Sequence, residues 1–341
     1  MGDQAKAWTD IGKEKEMGKL KIAQYFGDKP NNGDYDNGVW QDVLGIPYLQ
    51  YIDEAKDYDV IVRTLWIEST VQGWSKEIRS RYPHVKQIGL SDHPLSTHIS
   101  KLPADQQIRY INDLQHLDGI MALTEEERSW YQIAAPSKPV IKAGLPFPFE
   151  SYEKRFGNLR GSQKRFIGLG VGASDNDRNF ISSWLVFQRL HLVRPHIQGV
   201  FLSIPTQLIP YCSQLADSSH DSVFIHQRTE MAEYYDVLSQ CHFVLNMADR
   251  NTPGRLQGEA AFFGVPVIGS DRLELQSELF PALTVTPYDL EDAANLALKL
   301  IDNPETAEEH TSYAYDHLKQ YNYARTKRRF NKLLKEIESR G

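Results

Sequence analysis

The residues best able to do chemistry lie between Asn246 and Asp271. Within this segment, Gly258-Glu259-Ala260-Ala261-Phe262-Phe263-Gly264-Val265-Pro266-Val267-Ile268 predicts a short helix over Gly258 to Phe263, stopped by Gly264, and then a buried strand over Pro266 to Ile268. This reading puts the Glu259 carboxylate in the first turn of the helix. Gly254 relieves steric hindrance in the preceding loop, and Arg255 follows it directly. A helix N-terminus carries backbone N–H groups without intrahelical partners, which suits an anion such as a diphosphate. A carboxylate in the same place accepts hydrogen bonds from sugar or ribose hydroxyls. Together these two contacts are what a nucleotide sugar requires. Taken alone, the same residues also describe an ordinary helix start between two core strands.

Chemistry of this kind must be held by a scaffold, and strands alternate with helices along the chain. Strands are predicted over Leu20 to Phe26, Tyr48 to Tyr51, Tyr58 to Arg63, Val85 to Leu90, Gly119 to Leu123 and Pro139 to Lys142. Helices fall over Val39 to Leu44, Ser75 to Tyr82 and Ile108 to His116, and Thr124, followed by three glutamates, caps another. Gly144 to Pro148 and a polar, basic stretch to Lys164 carry no apolar periodicity and read as the domain linker. The alternation then restarts, with strands over Arg165 to Leu169, Gly199 to Ser203, Ser222 to Ile225 and His242 to Leu245, and helices over Phe180 to Leu192 and Met231 to Ser239. Amphipathic helices close the chain over Leu290 to Ile301 and Thr311 to Ile337.

The expected division is a polar extension over 1–19, a first α/β domain over 20–148, a second over 149–310, and a closing helix over 311–341 that reaches back to brace the first. Two such domains create a cleft lined by the C-terminal ends of both sheets, where doubly wound folds bind ligands.

Composition narrows the partners. In 341 residues, 45 acids against 38 Lys and Arg leave a formal charge of -7, which gives no long-range attraction for nucleic acid or anionic lipid. The basic run Arg325-Thr326-Lys327-Arg328-Arg329 reads as the solvated face of a helix, with peripheral contact to phosphate or a membrane as the alternative. Cys212 and Cys241 have neither metal-ligand spacing nor disulfide density, so both read as packing residues in a reducing compartment. A polar start from Met1 to Lys19 and the lack of a long apolar run lead to a cytoplasmic expectation.

The segment resembles that of the large retaining glycosyltransferase family with the GT-B fold. The family pattern is an acid, then Gly-Phe-Gly, then a second acid, Ala, small or apolar residues, Gly, any residue, Pro and Val. Gly254, Glu259, Ala260, Gly264, Pro266 and Val267 match it in place. The family's first acid falls on Asn251, eight positions before Glu259, and Asp249 lies two residues off register. A second match is Phe166-Ile167-Gly168 leading to Asp177-Arg178-Asn179-Phe180, although Leu169 stands where most relatives have an arginine. Asp118 to Thr124 and Pro139 to Pro146 resemble the family's last N-domain strand and its interdomain crossing, so the resemblance runs from about Leu20 to Ile337. In the first domain, the loop Gly27 to Gly38 stands where relatives carry a glycine pair, with Gly38 the match, and Ser91-Asp92-His93-Pro94 stands where relatives place a sugar-contacting histidine; His98 is a lesser match.

The resemblance implies an α/β GT-B architecture, with two doubly wound Rossmann-like domains facing each other across a cleft. It implies transfer of a sugar from a nucleotide-diphosphate donor, a UDP- or GDP-sugar, to an acceptor hydroxyl, with retention and without an obligatory metal or other cofactor. Glu259 would then contact the donor ribose, Arg178 and Arg255 the phosphates, and Gly254, Gly38 and Gly168 would let backbone approach the donor. Asn251 and His93 would sit by the sugars. Asn251 can hydrogen-bond a hydroxyl but offers no negative charge to a developing positive anomeric centre. The alternatives are a non-catalytic nucleotide-sugar-binding protein, a nucleotide-sugar epimerase, or a transferase acting on DNA bases.

Overall fold

The computed structural model describes residues 20–25, 35–91, 95, 99–170, 179–217, 222–227 and 230–340. Among the described residues every strand pairs in parallel, in two six-stranded sheets. The first contains β1 (Ile22–Tyr25), β2 (Tyr48–Leu49), β3 (Val60–Thr64), β4 (Lys86–Leu90), β5 (Gly119–Ala122) and β6 (Val140–Lys142), in the order β2-β1-β3-β4-β5-β6. The second contains β7 (Phe166–Gly170), β8 (Gly199–Ile204), β9 (Val223–Gln227), β10 (Cys241–Asn246), β11 (Val267–Ser270) and β12 (Thr284–Val285), in the order β12-β11-β10-β7-β8-β9. Strand order reverses between β1 and β3 in one sheet and between β7 and β10 in the other, and these switch points open crevices at the strands' C-terminal ends.

Helices cover both sheets. Around the first lie α1 (Tyr35–Leu44), α2 (Ile67–Val71), α3 (Trp74–Arg81), α4 (Ala104–Leu114) and α5 (Glu125–Ala134). The second is surrounded by α6 (Phe149–Phe156), α7 (Phe180–Val193), α8 (Ile209–Asp217), α9 (Met231–Ser239), α10 (Arg255–Phe263), α11 (Glu274–Leu279), α12 (Leu290–Asp302) and α13 (Pro304–Leu318). The chain ends in α14 (Tyr323–Arg340).

Central strands buried on both faces read as unbroken apolar runs, as in Val60-Ile61-Val62, all three fully buried. Arg63, on the same strand, is buried too, and its guanidinium is held 2.8 Å from Asp113. Asp113 also accepts bonds from the Ser75 and Lys76 amides at the start of α3, at 3.3 and 3.0 Å, so the ion pair fixes α3 and α4 against the sheet.

The stretch from 149 to 164 is not an irregular linker. Phe149, Tyr152 and Phe156 recur at helical spacing, and α6 buries Tyr152 and Phe156 in the second core. The closing segment is two helices: α13 ends at Leu318, a short tight turn covers Lys319–Tyr321, and α14 begins at Tyr323. Ala314, Leu318 and Tyr321 pack in the second core, whereas Phe330, Leu333, Leu334 and Ile337 pack with Ile22, Val39, Trp40 and Val62 in the first. The chain therefore crosses between domains twice, at 143–148 and at 319–322. Phe147 N donates to Tyr321 O at 2.8 Å, which joins the two crossings.

Candidate functional site

The loop after β10 is anchored along its length. The Asn179 amide donates to Met247 O at 2.9 Å, the Tyr288 hydroxyl donates to Asp249 at 2.6 Å, and Thr252 pairs through its backbone with Arg272 and Glu274. Gly254 caps α10 at φ 82°, a left-handed conformation that costs glycine least, and a Cβ there would also press on Gln257 at 2.8 Å. This cap starts α10 at Arg255, so Glu259 stands in the helix's second turn and not its first. The first-turn N–H groups belong to Arg255, Leu256 and Gln257, and the Glu259 carboxylate lies one turn behind them.

Glu259 is only 3% exposed and is ringed by donors. Arg255 Nε donates to Oε1 at 2.8 Å, the Tyr235 hydroxyl to Oε1 at 3.1 Å, and the Tyr234 hydroxyl to Oε2 at 3.0 Å. The Tyr235 hydroxyl is also hydrogen-bonded to that of Tyr152 from α6. Burial, followed by the negative charge of Glu259, pushes the Tyr152 and Tyr234 phenols well above their usual range, so both hydroxyls stay protonated as donors. Tyr152 and Tyr235 pack edge to face with Phe156, at 5.7 and 4.9 Å between ring centroids. The sequence reading missed this tyrosine cage; its signal was the Phe149, Tyr152, Phe156 spacing together with the adjacent tyrosines of α9.

Arg255, Glu259 and Tyr152 line a small cavity together with Val39 of α1 and Leu145 and Pro148 of the crossing, so the Glu259 segment borders the junction between the two domains. Across that cleft, Asn251 donates to Glu126 of α5, and the Glu125 amide donates to Glu274 of α11 at 3.3 Å. Lys142, at the end of β6, bridges Glu274 and Glu278 of α11, at 2.6 Å for Glu278. Burial opposes its charge, but the hydrogen bonds it donates to both glutamates prevail and raise the Lys142 pKa above that of an ordinary lysine. The same Glu278 accepts from the Tyr321 hydroxyl at the second crossing. The mouths of both sheets thus meet through polar contacts around the Glu259 segment.

Asn251, Gly254, Arg255 and Glu259 are brought together on one loop and helix. Gly168 lies elsewhere, in mid-strand on β7, where a Cβ would meet Leu202 and Val244 at 2.9 Å; it serves sheet packing. The glycine at the mouth of β7 is Gly170, where a Cβ would meet Leu245 O and Leu256 at 3.2 Å, so the end of β10 and the first turn of α10 approach the strand closely at the switch point. A Gly-x-Gly reading of residues 168–170 would have pointed to it. Gly38 falls within α1. Arg178, His93 and His98 lie outside the described residues. Of the basic run, Arg325 and Arg328 are exposed on α14, whereas Arg329 donates to Ala143 O at 2.8 Å and supports the first crossing. Cys212 and Cys241 are both fully buried, and burial pushes the thiols up to about 11 and about 12. No described helix is long and apolar enough to cross a membrane.

No family model and no curated protein matches the chain. Solved structures match it in fold. HepE from Anabaena, solved with UDP and glucose, superposes with a TM-score of 0.73 at 13% identity, over 93% of this chain and 100% of HepE. Sucrose-phosphate synthase from Thermosynechococcus elongatus gives 0.66 at 15% identity, over 92% of this chain and 82% of its own. A variant of S. aureus TarM, solved with fondaparinux, alpha-GlcNAc-glycerol and UDP, gives 0.64 at 12% identity, over 80% of this chain and 55% of that one. The chain thus spans about half the length of TarM. Likeness at these identities is likeness of fold: with two doubly wound parallel sheets facing each other across a cleft, the chain has the GT-B fold.

Proposed function

We propose that the chain is a glycosyltransferase that takes a sugar from a UDP- or GDP-sugar and passes it to an acceptor hydroxyl, with retained configuration and without an obligatory metal. The observation that carries this reading is the buried Glu259 carboxylate, ringed by donors beside a cavity at the domain junction, one turn behind the N-terminus of α10 and at the switch point of the second sheet. The solved relatives that bind UDP support the choice of ligand.

In this reading the ribose hydroxyls donate to Glu259. The diphosphate lies against the start of α10, where the N–H groups and the Arg255 guanidinium offset the charge that grows on the leaving group. Arg178 would add a second cation. Binding between two sheets holds the acceptor hydroxyl, presented by the first domain, against the donor face of the anomeric carbon. The acceptor attacks that carbon on the side the phosphate leaves, and the departing phosphate oxygen takes the acceptor proton. His93 and Asn251 are assigned to hold sugar hydroxyls, and a carbohydrate is the favoured acceptor.

One observation favours a second reading, a protein that binds the nucleotide sugar without transfer: Asn251 stands where a charge near the anomeric centre would be useful and is engaged with Glu126. Incubation with UDP- and GDP-sugars and a panel of carbohydrate acceptors separates the two. Acceptor-dependent nucleotide release that survives chelation, with a product of unchanged anomeric configuration by NMR, is the expected result. Nucleotide binding without release or hydrolysis would favour the binder, and no binding of either nucleotide would refute both.

A further inference from the structure

Glu259 is surrounded by more donors than a ribose-binding carboxylate can keep. A carboxylate offers about four acceptor sites in its plane, and the protein's own donors fill three, from Arg255, Tyr235 and Tyr234. A ribose that presents two hydroxyls must therefore displace one of them. The three are not equally held. Tyr235 is 1% exposed, its hydroxyl is tied to Tyr152, and its ring is packed against Phe156 and Phe263 at 4.9 and 5.2 Å. Arg255 is tethered through Nε one turn away on the same helix. Tyr234 is half-buried and bonds Oε2, whereas the bonds from Arg255 Nε and Tyr235 go to Oε1.

We infer that the Tyr234 hydroxyl holds the place of a ribose hydroxyl on Glu259 Oε2 and is the group that an incoming nucleotide displaces, while Tyr235, locked by Tyr152, keeps the carboxylate aimed. This rests on the reading of Glu259 as the ribose contact. Tyr234 is then a specificity-determining residue: a ligand without the ribose hydroxyl repays nothing for breaking the Tyr234 bond. It also keeps the buried carboxylate hydrogen-bonded when no nucleotide is present, so that an empty site leaves no unsatisfied charge.

The test is titration calorimetry of UDP, GDP and their 2′-deoxyribose counterparts against wild type, Tyr234→Phe, Tyr235→Phe, Glu259→Gln and the Tyr234→Phe/Glu259→Gln double variant, with thermal unfolding to establish that each is folded. If Tyr234 is a placeholder, Tyr234→Phe binds the ribonucleotide about threefold to tenfold more tightly, since one modest hydrogen bond no longer has to be broken. The gain is smaller for the deoxy ligand and absent in the double variant, whereas Tyr235→Phe weakens binding. A merely structural tyrosine would not produce tighter binding on losing its hydroxyl. Unchanged or weaker binding by Tyr234→Phe, with Glu259→Gln weakened, overturns the placeholder and leaves the ribose contact standing. Wild-type affinity in Glu259→Gln, or no binding of either nucleotide to wild type, overturns the ribose contact and the placeholder with it.

Discussion

Arg255 Nε lies 2.8 Å from Glu259 Oε1, one turn apart on α10, so the cation assigned to the diphosphate and the anion assigned to the ribose are held by each other. Their mutual bond fixes the plane of the guanidinium and the rotamer of the carboxylate before any ligand arrives. Replacing Arg255 by Met removes the phosphate partner and one of the carboxylate's donors together. The expected outcome in calorimetry is a loss of about tenfold in UDP affinity, as for one charge-assisted hydrogen bond, and a smaller loss for uridine. Equal losses for both ligands would show that Arg255 acts only through Glu259.

Asn251 and Glu126 meet across the cleft, which changes the meaning of restoring a carboxylate at position 251. In Asn251→Glu the new charge faces Glu126, and like charges at that range repel. The single variant is expected to melt at lower temperature and to turn over more slowly. Adding Glu126→Gln should recover stability, and only in that background does turnover report the chemical value of the acid. Additive melting temperatures in the double variant would show that the two residues do not interact in solution.

Lys142 is the charge that joins the first domain to α11. Without it, Glu274 and Glu278, one turn apart and 19% and 28% exposed, are left facing each other at the interdomain contact. Lys142→Met should destabilise by about 1–2 kcal/mol, below the cost for a fully buried pair because solvent reaches these groups. Denaturant melts followed separately in each domain should lose coincidence. A coincident, unshifted transition would remove Lys142 from the account of domain coupling.

Glu127 makes a pH prediction. Its Oε2 accepts from Ser91 Oγ at 2.7 Å and from the Leu123 and Thr124 amides at 2.8 and 3.1 Å, and burial outweighs these bonds to raise its pKa. Because the folded pKa lies above the unfolded one, the folded state binds more protons as pH falls through that window. Glu127 therefore costs stability above its folded pKa, and the cost disappears as pH drops below the ordinary glutamate value. Relative to Glu127→Gln, the wild type should lose stability as pH rises from the usual carboxylate range, measured by melting temperature at stepped pH. Parallel pH profiles for the two proteins would contradict it.

Local chemistry was readable in the sequence, and non-local chemistry was not. Thr124 followed by three glutamates announced a helix N-cap, and the structure forms it, with Glu127 completing a capping box, because such a cap involves only residues three apart. The alternation of apolar runs revealed both sheets. The start of α10 was misplaced by three residues because Pro253-Gly254 gave no side-chain cap; the left-handed glycine does that work instead. Helix α6 was missed because glutamate, lysine and arginine intervene between Phe149, Tyr152 and Phe156 and dilute the stripe. With α6 went Tyr152, and with the tyrosines the cage around Glu259. The contacts of Lys142 with α11 and of Asn251 with Glu126 join residues more than a hundred positions apart, which no periodicity encodes. Gly168 was chosen over Gly170 because a motif fixes the order of residues but not where the strand ends.

Calorimetry of UDP against wild type and Glu259→Ala decides whether Glu259 binds the ribose of a nucleotide donor. Loss of charge-assisted hydrogen bonds should weaken binding by about 1–3 kcal/mol while the variant stays folded. A folded Glu259→Ala protein that binds UDP as tightly as wild type would contradict the account.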